Sequence, residues 1–184
     1  MQDKKVIVLV GMPGAGKSML VDHLESQDVP SVYFGGITID EVIRRGLEVT
    51  EANERNVREE IRATEGKGAY AKRIIPQIEQ FFTEGHDKVV ADGLYSWTEY
   101  KIFKEHFGEN AITIAVVAPR KLRHDRLASR SERPLTDEQV TSREYAEIEN
   151  IEKGGPIANA DYTLVNDSTQ KILTDKLDQI LAQL

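Results

Sequence analysis

Glycines at positions 11, 14 and 16, followed at once by Lys17 and Ser18, are the residues whose types and spacing speak most directly of chemistry. The run Gly11-Met12-Pro13-Gly14-Ala15-Gly16-Lys17-Ser18 is a complete GxxxxGK[ST] pattern. Its glycines let the backbone curl until successive N–H groups point inward at an anion. A helix beginning at Lys17 and running through Met19 adds its dipole and unpaired amides to the same spot. Lys17 is then placed to reach the β- and γ-phosphates of a nucleotide, and the Ser18 hydroxyl to bind magnesium. The bland alternative is a glycine-rich turn without a ligand. At average residue frequencies the pattern arises by chance in roughly one chain of this size in a hundred. The apolar run before it and the helical pattern after it argue further against chance.

A second chemical feature is Asp92, which ends the apolar run Lys88-Val89-Val90-Ala91 and precedes Gly93. Carboxyl ends of parallel strands form the ligand crevice, so Asp92 is expected to face the same cleft as Lys17. There it can hold magnesium through water or take a proton from an attacking hydroxyl. An Asp-Gly turn without function is the competing reading. Downstream, Arg123, Arg126, Arg130 and Arg133 stand three, seven and ten residues apart, one side of a helix if the helix continues. Like charges so spaced repel, which points to a compensating anion such as a triphosphate in phosphoryl transfer. A solvated face balanced by Asp125 and Glu132 is the alternative. The acidic run Thr136–Glu152, carrying Arg143, would fold back as the second limb of a water-excluding lid.

The elements that must position these groups can be read from the pattern. Short β-branched runs at Val6–Val10, Ser31–Phe34, Asp87–Ala91, Ile112–Ala118 and Tyr162–Val165 predict strands, mostly without the alternation of a half-exposed sheet. Helical patterns occupy Lys17–Ser26, Ile39–Arg45, Glu51–Thr64, Ala69–Glu84, Thr98–His106, a long charged stretch from Lys121 to Glu152, and Thr169–Leu184. The alternation predicts an α/β domain with a doubly wound parallel sheet. Pro76 is expected to kink its helix, and Asn166-Asp167-Ser168 to cap the last one. With 184 residues and no linker-like tract, one domain over 1–184 is expected. The absence of cysteine excludes disulfides and thiolate metal sites and suits a cytoplasmic setting. A formal charge of −7 argues against nucleic acid as the main partner, and the opening apolar run is too short to span a membrane.

Taken in order, these features resemble the adenylate kinase and dephospho-CoA kinase branch of P-loop kinases. They are most similar to an uncharacterised adenylate-kinase-related family common in archaea. The likeness rests on Gly11–Ser18, Arg44-Arg45-Gly46-Leu47-Glu48, Val57-Arg58-Glu59-Glu60, Ala71-Lys72-Arg73, Ala91-Asp92-Gly93, Arg126-Leu127-Ala128-Ser129-Arg130 and Ala160-Asp161-Tyr162 leading to Val165-Asn166. It implies a P-loop three-layer sandwich with a five-stranded parallel sheet, an acceptor-binding helical insert at about 37–80 and an arginine lid at about 120–158. It also implies ATP and Mg²⁺ as cosubstrates, and transfer of the γ-phosphoryl group to a nucleoside monophosphate or dephospho-CoA; a kinase for a smaller metabolite is a second reading. Arg126 would flank the adenine, Arg130 the phosphates, and Asn166 the edge of the base. The sequence departs from that family where an Asp and an Arg usually follow the second strand, since Gly36 and Ile39 stand there. Leu94-Tyr95-Ser96 likewise replaces an expected arginine. Acceptor recognition is therefore expected from Arg44, Arg58, Arg73 and Tyr95, with Arg45 and Lys72 as further candidates. A P-loop ATPase or switch is the alternative, although no Asn-Lys-x-Asp run is present to read guanine.

Overall fold

A computed structural model describes residues 4–94, 96–131 and 134–184. Five parallel strands form one sheet: β1 (Lys5–Val10), β2 (Ser31–Tyr33), β3 (Lys88–Asp92), β4 (Ala111–Val117) and β5 (Tyr162–Val165), in the order β2-β3-β1-β4-β5. Side chains of successive strand residues point to opposite faces, and both faces are buried. Val6, Val8 and Val10 of β1 join one core with Phe34, Tyr70, Ile74 and Phe103. Ile7 and Leu9 join the other with Leu20, Leu24, Leu173 and Leu177. That double burial explains why the strands read as unbroken apolar runs.

Nine α-helices cover the sheet among the described residues. These are α1 (Lys17–Glu25), α2 (Phe34–Arg44), α3 (Glu51–Glu65), α4 (Ala69–Thr83), α5 (Trp97–Phe107), α6 (Arg120–Ala128), α7 (Asp137–Ile151), α8 (Gly154–Ala158) and α9 (Gln170–Leu181). Helix starts follow capping chemistry. Ser96 and Glu99 make a reciprocal capping box on α5, as do Thr136 and Gln139 on α7.

Three expectations need correction. The second helix begins at Phe34, directly after β2, rather than at Ile39. Gly35 and Gly36, poor helix formers, conceal this in the sequence, while fully buried Phe34 anchors the first turn. The charged stretch from 121 to 152 is two helices, and α6 ends at Ala128. Arg130 therefore lies beyond it, and the arginines do not form one continuous helix stripe. The cap of α9 is Thr169, whose hydroxyl accepts from the Ile172 amide. Pro76 lies inside α4, within the helix expected there. The short helix α8 has no counterpart in the periodicity, because five residues are too few to show one.

Candidate active site

The glycine-rich segment runs from the end of β1 into α1, at the centre of the sheet. In the β1–β3 pairing Leu9 stands opposite Asp92, so the acid and the glycine-rich loop leave the sheet side by side. Two of the loop glycines are required by what touches them. Gly14 has φ +77°, and a Cβ there would lie 2.6 Å from the Arg123 carbonyl oxygen. Gly16 has φ +100°, and its Cβ would lie 2.2 Å from the Asn166 amide nitrogen. Side chains at either place would be strained and would also collide.

Asn166 is a positioning residue for this loop. Its buried amide donates to the Ala15 carbonyl at 2.8 Å, tying the end of β5 to the cradle. Arg126 donates to the Gly14 carbonyl at 3.4 Å and to the Asn166 backbone and side-chain oxygens at 3.3 and 3.2 Å. Arg123 is buried and works from the other side. It donates to the Pro13 carbonyl at 3.3 Å and to the Ala118 carbonyl at 3.2 Å, and it pairs with Glu144 of α7. Glu144 also accepts from Arg120 at 3.1 Å, and His124 lies 3.5 Å from it. This network fastens α7 to α6 and, through Arg123, to the loop.

At the mouth of the loop the Lys17 ammonium donates to the Gly11 carbonyl at 2.9 Å. Burial, and then the charge of Lys153, lower its pKa to about 8, against the pull of Asp92 and Glu147. Burial raises the Asp92 carboxyl above its ordinary range although Lys17 and Lys153 oppose the rise. Its Oδ1 is buried and accepts no hydrogen bond among the described residues. A buried carboxylate oxygen without a donor is costly unless a cation or an incoming proton meets it. That chemistry fits a hard cation held with the phosphates, with the Ser18 hydroxyl at the exposed first turn of α1 as the second protein oxygen. No group of three His, Cys, Asp or Glu side chains suited to a metal occurs among the described residues.

The structure thus brings together Gly11 to Met19, Asp92, Arg126 and Asn166. Arg130 lies past the end of α6 on an exposed stretch, while Arg133 and Tyr95 lie outside the described residues. The insert cations are engaged with carboxylates. Arg44 donates to Glu41 at 2.6 Å, Arg45 to Glu41 at 2.8 Å, Arg58 to Glu51 at 2.7 Å and Arg73 to Glu65 at 3.0 Å. Arg44 and Arg73 share the lining of a surface cavity of about 220 Å³ with Ile37, Asp40, Glu41 and Gln77.

Two sets of residues escaped the sequence reading. Arg62, one turn after Arg58 on α3, lies over the Tyr70 ring at 4.8 Å and 3.8 Å from fully buried Glu99. Its Nε is buried without a hydrogen-bond partner among the described residues. The Tyr70 hydroxyl meets Thr38 at 2.7 Å. A four-residue spacing from Arg58 was the available signal. The other set is Glu147 and Lys153, whose charges, with that of Arg143, reach Lys17. Lys153 carried no readable signal beyond being a lysine before Gly154-Gly155-Pro156.

Comparison with known proteins agrees with this architecture. Residues 7–152 match a family model described as "AAA domain". A UPF0200 protein of Thermococcus gammatolerans is 34% identical over 182 residues, spanning 97% of this chain and 95% of its own. A UPF0200/UPF0201 protein of Archaeoglobus fulgidus is 34% identical over 186 residues. There the match spans 99% of this chain but 56% of the relative's length. Among solved structures, shikimate kinase from Bacteroides thetaiotaomicron superposes with a TM-score of 0.63 at 15% identity, over 97% of this chain and 98% of that one. A gluconokinase from Sinorhizobium meliloti gives 0.64 at 12% identity, over 98% and 93%. At such identities the likeness is one of fold: a P-loop kinase fold.

Proposed function

The chain belongs to the UPF0200 family, and on that premise we propose that it transfers the γ-phosphoryl group of ATP to a small-molecule acceptor, with Mg²⁺ as cosubstrate. The observation that carries this reading is the pairing of a complete phosphate cradle with a buried acid, Asp92, whose Oδ1 has no donor among the described residues. A P-loop switch also holds Mg²⁺ with an acid at this place, so acceptor-dependent ADP formation is what separates a kinase from a switch.

In this reading the loop amides and Lys17 hold the β- and γ-phosphates, and Ser18 and Asp92 hold the metal side of the nucleotide. Mg²⁺ bound with ATP would draw charge from the bridging oxygen as it leaves. Arg126 and Asn166, which fix the loop from the β5 side, border the base. The acceptor hydroxyl attacks the γ-phosphorus, the bond to the β-γ bridging oxygen breaks, and Asp92 accepts the hydroxyl proton. Fixing these groups before reaction is where such an enzyme gains most of its rate.

The acceptor side is the helical insert. Its stretch from 37 to 80 carries nine acidic and eight basic residues, and Arg44, Arg45, Arg58 and Arg73 each already face a carboxylate. That neutralised surface favours an acceptor whose reacting end carries less charge than a nucleoside monophosphate, so a kinase for a smaller hydroxyl-bearing metabolite is the second reading. Arg58 and Arg62, flanking Tyr70, are the cations proposed to meet it. A screen of nucleoside monophosphates, dephospho-CoA, shikimate and sugar acids with ATP and Mg²⁺, read by ADP formation, separates the readings. ADP formed at one rate whatever acceptor is added would instead mark an ATPase.

A further inference from the structure

Three successive carbonyls of the glycine-rich loop are each held by a side chain from outside it. The Pro13 carbonyl accepts from Arg123 at 3.3 Å, the Gly14 carbonyl from Arg126 at 3.4 Å and the Ala15 carbonyl from Asn166 at 2.8 Å. No cis peptide bond occurs among the described residues, and in a planar trans peptide the C=O and N–H point opposite ways. Holding a carbonyl therefore aims the N–H of the next residue. The Ala15 N–H closes a turn onto the Met12 carbonyl at 3.1 Å. Those of Gly14 and Gly16 donate to no turn or loop carbonyl among the described residues, which leaves them available to an anion. Arg123 aims the first, Asn166 the second.

Arg126 and Asn166 brace one another at the end of β5, but Arg123 depends on a different element. Its guanidinium, on a residue 8% exposed, bonds the Ala118 carbonyl at 3.2 Å, the Pro13 carbonyl and the Glu144 carboxylate. The two carbonyls are neutral, so Glu144, 4% exposed on α7, is the anion that balances the buried charge. Glu144 also accepts from Arg120 at 3.1 Å, and His124 lies 3.5 Å from it. One chain of contacts thus runs from α7 through Glu144 and Arg123 to the Pro13–Gly14 peptide.

We propose that Arg123 is a positioning residue for phosphate binding and that Glu144 sets it: with α7 docked, Arg123 holds the Pro13 carbonyl outward and the Gly14 amide faces the phosphates. This rests on the nucleotide-binding reading above, which gives neither Glu144 nor α7 a part. Undocking α7 would leave Arg123 without its anion and let the Pro13–Gly14 peptide rotate. The cradle is preorganised only while α7 is seated. Arg123 itself touches no phosphate, because two carbonyls and a carboxylate already take up its donors.

The test needs no acceptor. Mg-ATP and magnesium tripolyphosphate, which has no base, are titrated by calorimetry into the wild type, Glu144→Gln and the double variant Arg123→Met/Glu144→Met. Replacing both members of a buried ion pair by apolar side chains is often neutral for folding, and circular dichroism fixes a temperature at which each variant is folded. The double variant should lose about tenfold or more in affinity for both ligands, by a similar factor. Glu144→Gln, which keeps the arginine but removes its counter-charge, should weaken both by about threefold or more. In ¹⁵N-labelled protein the Gly14 amide resonance should move when tripolyphosphate binds the wild type and move much less in the double variant. The Gly16 amide, held by Asn166, should move in both. A merely structural role for the pair would lower the melting temperature and leave these affinities and resonances in place. A double variant that binds tripolyphosphate as tightly as the wild type, or a loss confined to ATP, would overturn the assignment. So would tighter binding by Glu144→Gln, which would make Arg123 a phosphate ligand restrained by its partner. Should the double variant fail to fold, wild-type affinity in Glu144→Gln overturns it instead. A wild type that binds neither ligand removes the underlying reading itself.

Discussion

The Lys17 ammonium donates to the carbonyl oxygen of Gly11, six residues earlier in the same loop, at 2.9 Å. The lysine proposed to meet phosphate is thus held within its own loop. Burial, and then the neighbouring charge of Lys153, disfavour its protonated form and lower its pKa to about 8. Between about 8 and its ordinary value of 10.5 the unfolded chain binds the proton more tightly than the folded one. Through this group the ligand-free protein therefore gains stability as pH rises across that window. ATP requires the charged form, so the opposite holds for binding. ATP affinity should fall as pH rises above about 8, approaching tenfold per pH unit if Lys17 dominates. Calorimetry near pH 8.5 in buffers of different ionisation enthalpy should detect proton uptake on binding. An ATP affinity flat from pH 7 to 9.5 would contradict this.

Asp92 gives a prediction in which activity and stability diverge. Its buried carboxyl, with one oxygen lacking a donor, costs the fold more when ionised than an amide would. Asp92→Asn should cut kcat by about 10²-fold or more while leaving the melting temperature unchanged or slightly raised. Thermal scanning alongside steady-state rates checks both halves. A mutant that melts earlier and keeps its specific activity would make Asp92 a turn residue.

Arg58 tests the acceptor side. Its guanidinium donates to Glu51 at 2.7 Å and lies 3.6 Å from Glu54, so it is held in place on α3 beside Tyr70. Removing a charge-assisted contact to the acceptor should raise acceptor KM about tenfold, roughly 1.4 kcal/mol, at unchanged ATP affinity. The measurement is an acceptor titration of Arg58→Ala at saturating ATP. An unchanged acceptor KM, or a matching loss of ATP affinity, would place the acceptor elsewhere.

How much of this was legible in the sequence depended on how local each signal is. The cradle and its flanking elements were readable because eight consecutive residues carry the pattern and both sheet faces are buried. Every strand, and every helix but α8, followed from the same periodicity, with ends off by one residue at β3, up to three at α9 and five at the start of α2. The arginine spacing misled because periodicity cannot see where a helix stops, and α6 stops at Ala128. Asn166 read as a cap but turns inward to Ala15, a contact across 151 residues of sequence. Arg62, Glu147 and Lys153 were invisible for the same reason. Their environment is made by α3, α5, α7 and α8 meeting in space, and a charged residue in a charged segment gives no hint that it is buried.

The central claim is phosphoryl transfer through the Gly11–Ser18 cradle. The most direct measurement of it compares wild type and Lys17→Ala for ³²P transfer from γ-labelled ATP across the acceptor screen, with folding of the mutant verified by circular dichroism. The account predicts label on one acceptor class with the wild type and a loss on the order of 10²-fold or more with a folded Lys17→Ala, a few kcal/mol of transition-state stabilisation. A folded Lys17→Ala that transfers label at nearly the wild-type rate would contradict it.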